Sequence, residues 1–162
     1  MHLVIADTGP VNYLLLIGHI EILPALFKKV ILPSAVKDEL ANPYTPLPVR
    51  NWIAAPPLWV DVRHTAIPLT NASMWGLGGG ETAAIALAAE LHADLLLMDD
   101  RRGVAVALQR GLIVTGTMGL LSRGAKHGIL DLADAFERLK RTNFRYRQET
   151  MDVLLTEAGR KA

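Results

Sequence analysis

Apolar residues in this chain come in short bursts, and the stretches between them carry helical spacing. Five bursts stand out, at residues 2–6, 30–32, 58–62, 95–98 and 112–114. Each is too short for a helix and lacks polar alternation, which predicts strands buried on both faces. Pro10 predicts a helix over 11–17 that Gly18 stops, and a second helix is expected around 20–27. Pro33-Ser34 opens another, with Ser34 as the expected N-cap. A proline-punctuated turn over 42–48 leads to a short helix at 49–54, which Pro56-Pro57 ends. Residues 63–79 read as the longest irregular stretch, closing in Gly76-Leu77-Gly78-Gly79-Gly80. Over 81–92, Ala84, Leu87, Ala88 and Leu91 recur at i, i+3, i+4 and i+7, a helix whose small residues suit close packing on a sheet. Further helices are expected over 101–109, 118–126, 130–140 and 147–157. Strands alternating with helices imply an α/β class: three α/β/α layers around a mostly parallel sheet of about five short strands. The 162 residues are expected to form one domain, with a core over about 1–140 and a helical extension over about 141–162.

Composition narrows the class without fixing a function. The chain is 51% hydrophobic and 20% charged, with no cysteine. Disulfides, thiolate nucleophiles and cysteine-zinc sites are therefore excluded, and a cytoplasmic setting is expected. No apolar run approaches the roughly 18–20 residues that cross a bilayer, so no membrane association is expected. Residues 1–20 contain Asp7 and lack both a basic leader and a small-residue cleavage site, so no signal peptide is expected. The net charge of +1 hides an asymmetry. Residues 1–99 hold 5 Lys/Arg against 9 Asp/Glu, a net of −4, and residues 100–162 hold 12 against 7, a net of +5.

The acidic residues carry most of the chemical information. Asp7 ends the first apolar burst, and Asp99-Asp100 end the fourth. Glu39 shares a helical face with Val36 and Leu40 while Asp38 points elsewhere, and Glu81 follows the glycine run. In parallel α/β sheets the carboxyl ends of the strands border the ligand crevice, and one topology brings all four clusters to that edge. Almost no Lys or Arg lies near them before residue 101. Carboxylates that meet without cations imply a divalent metal.

Blander readings compete at each position. Asp7 could serve a strand-end turn, Glu39 could be a solvated helix residue, and Glu81 a carboxylate favoured by a helix dipole. Asp100 could cap the following helix, so the choice between Asp99 and Asp100 stays open. Asp7-Thr8-Gly9 resembles the aspartic-protease signature, but that reading demands an all-β body. The glycine run entering a helix could cradle phosphate on exposed N–H groups, but it lacks the Lys-Ser/Thr of a P-loop and precedes the fourth strand, so a dinucleotide fingerprint fails. Arg101, Arg102, Arg110, Arg123 and Lys126 could line the approach to the acids. Arg141, Arg145 and Arg147, interleaved with Phe144 and Tyr146, form a second basic stretch. It could grip phosphates or a base, and a solvated helix end or dimer rim is the preferred reading for it. The five histidines show no metal-ligand spacing.

The ordered set resembles a PIN domain. Its pieces are the strand before Asp7-Thr8, Ile31-Leu32-Pro33-Ser34-Ala35-Val36-Lys37-Asp38-Glu39-Leu40, Gly80-Glu81-Thr82-Ala83-Ala84-Ile85, Leu97-Met98-Asp99-Asp100 with Arg102, and Val114-Thr115-Gly116-Thr117-Met118-Gly119-Leu120-Leu121. The resemblance covers roughly 1–140 and is nearest to prokaryotic stand-alone PIN proteins of the VapC toxin type. It implies a Mg²⁺- or Mn²⁺-dependent endoribonuclease with one or two ions, acting as the toxin of a type II toxin–antitoxin pair. It further implies a homodimer, an RNA substrate and an inhibiting antitoxin protein. The family's acidic quartet maps onto Asp7, Glu39, Glu81 and the Asp99-Asp100 pair, and Thr8 and Thr117 match its hydroxyl positions. Asp7, Glu81, Asp99 and Asp100 are then the expected metal ligands, with Arg101, Arg102, Arg123 and Lys126 as RNA contacts. Glu81 departs from the Asp that many relatives carry, as does the short glycine-rich lead-in. Two rivals remain: a PIN fold that binds RNA or protein with little catalysis, and a phosphohydrolase using Asp7 as nucleophile. The second normally wants another Asp two residues on, where this chain has Gly9.

Overall fold

A computed structural model describes residues 2–65 and 76–160. Five parallel strands form one sheet in the order β3-β2-β1-β4-β5, where β1 is Val4–Ala6, β2 Val30–Pro33, β3 Val60–Arg63, β4 Leu95–Leu97 and β5 Val114–Thr115. The described helices are α1 Thr8–Leu16, α2 Ile22–Phe27, α3 Ser34–Leu40, α4 Leu47–Ala54, α5 Gly79–Glu90, α6 Arg101–Gln109, α7 Thr117–Lys126, α8 Leu132–Lys140 and α9 Gln148–Arg160. This is the expected three-layer α/β/α architecture with a parallel sheet. No described helix is long and apolar enough to cross a membrane.

Strand residues alternate between two cores, because successive side chains point to opposite faces. Val4, Ala6, Val30, Leu32, Leu95 and Leu97 pack on one side with apolar residues of α1–α4 and α7–α9. Ile5, Ile31, Leu96 and Met98 pack on the other with Ala84, Ile85, Leu87 and Ala88 of α5 and Ala107 of α6. Full burial of an Ile or Leu contributes about 1.5–3 kcal/mol, so the central strands are firmly committed to these faces. Registers of Ile5 opposite Ile31 and of Ile5 opposite Leu96 bring the ends of β1, β2 and β4 to one edge. Phe144 and Met151 are buried in the first core, which ties the C-terminal segment to the same body.

Three local expectations need correcting. Helix α1 begins at Thr8, so Gly9 and Pro10 lie in its first turn. The first N–H groups of a helix have no intrahelical acceptor, and Pro10 costs nothing there. At α3, Pro33 occupies the N-cap position and Ser34 is already helical, with no side-chain cap. The glycine run is likewise no loop at its end, since Gly79 and Gly80 form the first turn of α5. Part of the irregular stretch expected over 63–79 lies outside the described residues.

Candidate active site

Asp7 leaves β1 and enters α1 as its N-cap residue, yet its carboxylate accepts no capping hydrogen bond. Its backbone N–H donates to the Leu97 carbonyl at 2.9 Å, pinning the ends of β1 and β4 together. The side chain is 3% exposed, and its Oδ1 is buried without a hydrogen-bond partner. Such an atom carries a real desolvation cost unless something binds it. Burial above all, then the charges of Glu81, Glu39 and Asp99, pushes the Asp7 pKa up to about 7, against one lowering backbone hydrogen bond at Thr8.

Glu39 reaches the same edge from the second turn of α3. Its Oε2 accepts from the Thr8 hydroxyl at 2.5 Å and its Oε1 from the Gly80 backbone N–H at 2.8 Å. One carboxylate thereby joins the starts of α1 and α5. A Cβ at position 80 would stand 2.6 Å from Glu39 Oε1, so glycine there lets the Glu39 carboxylate approach the backbone without shifting. Glu81, half-buried in the first turn of α5, has its pKa raised by burial, then by Glu39 and Asp100.

The adjacent pair after β4 divides its duties. Asp100 caps α6, its Oδ2 accepting from the Gly103 N–H at 2.8 Å, and it is exposed. Asp99 turns inward to α7: Oδ1 accepts the Thr117 N–H at 2.7 Å and Oδ2 the Thr117 hydroxyl at 2.6 Å. Thr117 is fully buried, which fixes that geometry. A Cβ on Gly116 would meet Asp99 Oδ1 at 2.7 Å, so here too glycine lets a carboxylate approach backbone. Burial raises the Asp99 pKa, while the two Thr117 hydrogen bonds pull the other way.

The fold therefore brings Asp7, Glu39, Glu81, Asp99, Asp100, Thr8 and Thr117 to one edge, from four strand–helix junctions and the start of α5. Among the described residues none of these acids pairs with Lys, Arg or His. The carboxylates do not close into a cluster of three or more ligands; like charges in a partly dry site stand apart. The donor set still fits a hard divalent cation: it is all oxygen, net anionic, and centred on a buried Oδ1 that nothing else satisfies.

The expected basic contacts are dispersed. Arg101 lines a cleft with Asp99 and Asp100, and Arg102 donates to the Gly76 carbonyl at 3.2 Å. Arg123 and Lys126 occupy the last turn of α7, at the end away from Thr117, and the Arg123 guanidinium lies over the Phe27 ring at 5.7 Å. Sequence reasoning missed Tyr13 and Asn143, which border the same cleft as Asp99. Burial raises the Tyr13 pKa, Asp99 adds to the effect and Arg145 opposes it, so both charges act on one hydroxyl. The interleaved Arg-Tyr-Arg of 145–147 was the available signal for this wall.

A family model described as a PIN domain matches residues 3–160. PIN domains are generally nucleases that use divalent metals. No curated protein and no solved structure matches the chain. With nearly its whole length matched and its sheet in the order β3-β2-β1-β4-β5, the chain belongs to the PIN domain family.

Proposed function

We propose that this protein is a metal-dependent endoribonuclease that hydrolyses RNA phosphodiester bonds at the edge bearing Asp7. The observation that carries the reading is the buried, partnerless Oδ1 of Asp7 among four further carboxylates with no cation paired to them. Asp7, Asp99, Asp100 and Glu81 would hold one or two Mg²⁺ or Mn²⁺ ions. Such an ion supplies Lewis acidity: it lowers the pKa of an attacking water and offsets charge on the phosphoryl and leaving oxygens. Thr117 holds Asp99 in one orientation through both carboxylate oxygens. Glu39, aligned by Thr8 and Gly80, keeps a further lone pair on each oxygen and can take a proton from the attacking water. The burial of Asp7, 3% exposed, and Gly9 in place of a second Asp favour holding a metal over accepting a phosphoryl group.

The likeness of the ordered motifs to stand-alone prokaryotic PIN proteins supports a finer placement. In that placement the single domain is a cytoplasmic, homodimeric toxin, silenced by an antitoxin protein. The test is cleavage of a panel of structured and single-stranded RNAs with Mg²⁺, Mn²⁺ or EDTA, by the parent protein and by Asp7→Asn and Asp99→Asn. Cutting that needs metal and disappears in both variants, with folding intact by circular dichroism, is the expected result. Cutting that survives in the variants or in EDTA would overturn the reading.

A further inference from the structure

Beside the carboxylates runs a cleft of about 770 Å³ whose two walls carry opposite charge. One wall is Asp99 and Asp100 at the end of β4, with Arg101 next to them at the start of α6; the other is the segment linking α8 to α9, with Arg145, Tyr146 and Arg147. That segment is held at both ends. Upstream, the Tyr13 hydroxyl donates to Asn143 Oδ1 at 2.8 Å, and the Phe144 ring meets Tyr13 edge-on at 5.0 Å and 82°. Downstream, Met151 is fully buried in the core. Between the anchors the Arg-Tyr-Arg side chains are exposed, with Tyr146 at 40%.

Two carboxylates share the cleft, yet none of Arg101, Arg145 or Arg147 forms an ion pair among the described residues. Guanidinium groups spaced around an exposed aromatic ring match a polyanion that carries planar groups. A single-stranded nucleic acid is such a molecule: phosphates for the arginines and an unpaired base for the ring. A duplex hides its base faces in the stack and offers its backbone, 2′-hydroxyls and base edges instead.

We infer that the segment 143–147 is the strand-gripping wall of this site, with Tyr146 stacking an unpaired base and Arg145, Arg147 and Arg101 holding the flanking phosphates. The inference rests on the nuclease reading for the identity of that strand as substrate. Its geometry gives the wall a task distinct from hydrolysis. Anchoring by Tyr13 and Met151 holds the backbone that carries Arg145 and Arg147 in place before a strand arrives, so only their side chains need ordering on binding. The acidic wall opposite repels any phosphate that is not neutralised there, which leaves the strand seated on the basic side and its scissile group facing the acids.

Binding can be read without cleavage, in an Asp7→Asn background, by fluorescence anisotropy of a labelled unstructured RNA oligonucleotide over a salt series. Arg145→Ala with Arg147→Ala should weaken binding about 10- to 100-fold and reduce the salt slope by roughly 1.4, about 0.7 for each phosphate that an arginine no longer neutralises. Tyr146→Ala should weaken it about 5- to 100-fold, the range of one missing base stack, while Tyr146→Phe keeps it. A duplex of the same sequence should ignore Tyr146→Ala. Melting curves for each variant, with Arg145→Glu as a second probe of charge, separate a weakened grip on the strand from a failure to fold. Parent-like affinity and salt slope in the arginine variant, an equal effect of Tyr146→Ala on duplex, or no RNA binding by the parent would each overturn the inference. Metal-dependent cutting that ignores all these changes would sink the inference alone. Strand binding through this wall by a protein that never cuts would sink the nuclease reading and leave the wall in place.

Discussion

Three acids of the outer surface pair with cations, and the five at the carboxyl edge of the sheet do not. On the surface Asp61 lies 2.9 Å from Arg63 and 3.9 Å from Lys29, Asp134 lies 3.0 Å from Arg138, and Glu137 lies 3.2 Å from Lys140. At the sheet edge, Asp7, Glu39, Glu81, Asp99 and Asp100 form no such pair, and hydroxyl and amide donors serve Glu39, Asp99 and Asp100 instead. The chain has 17 Lys and Arg to draw on, so cations are not scarce. Surface pairs trim charges that water already solvates. The edge instead keeps negative charge in a partly dry place, an arrangement that raises the free energy of the metal-free fold and lowers it again when a cation binds.

Asp7→Asn should break this contrast most sharply, by moving activity and stability in opposite directions. Cleavage should fall at least about 10³-fold, since a metal ligand supplies several kcal/mol of transition-state stabilisation. Stability of the metal-free protein should rise. The sign follows from the Asp7 pKa of about 7 against 3.8 for an ordinary aspartate. Below pH 3.8 both folded and unfolded chains hold the proton; between 3.8 and 7 the unfolded chain has released it and the folded one keeps it. The folded state then binds more protons, so metal-free stability declines as pH rises through that window, with the full penalty above about 7. The gap corresponds to a penalty on the order of 4 kcal/mol for this buried side chain. Thermal melts in EDTA at pH 5 and pH 8 check it: the parent should lose stability between them, Asp7→Asn should lose much less, and Mn²⁺ at pH 8 should restore only the parent. A parent that is more stable at pH 8 than at pH 5 without metal would contradict the account of the edge.

Thr117→Val tests the same edge one bond further out. The substitution keeps the buried volume and removes the hydroxyl that donates to Asp99 Oδ2 at 2.6 Å, leaving the backbone N–H on Oδ1. Loss of a partner that orients a ligand typically costs 10–100-fold in metal affinity or activity. Cleavage should fall by about that factor, with the apparent Mn²⁺ requirement shifted upward, and Thr117→Ser should restore both. Parent-like cleavage and Mn²⁺ requirement in Thr117→Val would show that the hydroxyl does not orient Asp99.

What the sequence made legible tracks how far each interaction reaches along the chain. Buried strands announce themselves as apolar bursts, and Asp7 and Asp99 follow two of them directly, so their edge could be read at once. The Asp100 cap is local, three residues from Gly103, and stood among the open readings for that reason. Asp99 finds its donor 18 residues away, and Thr8 meets Glu39 31 residues away. Those contacts exist only once β5 lies beside β4 and β1 beside β2, which no local pattern encodes. The role of Gly80 was hidden in the same way, because the group that approaches its backbone is Glu39 on another helix. Arg123 was drawn toward the site by its place in sequence. A helix rises about 1.5 Å per residue, which carries it roughly 9 Å along α7 from Thr117. Arg145 and Arg147 went the other way: distant in sequence, they reach the Asp99 cleft because Phe144 docks on Tyr13.

Asp134→Asn supplies the smallest effect and the control that gives the others meaning. Asp134 and Arg138 sit one helical turn apart on α8, both about half exposed, with the carboxylate 3.0 Å from the guanidinium. Water screens such a pair, and ordering two long side chains offsets much of its attraction, so exposed i,i+4 pairs contribute about 0.3–0.5 kcal/mol. The substitution should lower stability by no more than that and leave cleavage and metal response unchanged. Arg138 also donates to the Ile17 carbonyl at 3.2 Å, which keeps the guanidinium in place when the carboxylate is gone. Unlike Asp7→Asn, the variant should show the same small change at pH 5 and pH 8, in EDTA and in Mn²⁺. A metal-dependent melting shift in Asp134→Asn that differs from the parent's would mean that cations act on the protein's general charge. The carboxyl edge would then lose its claim to be a place apart.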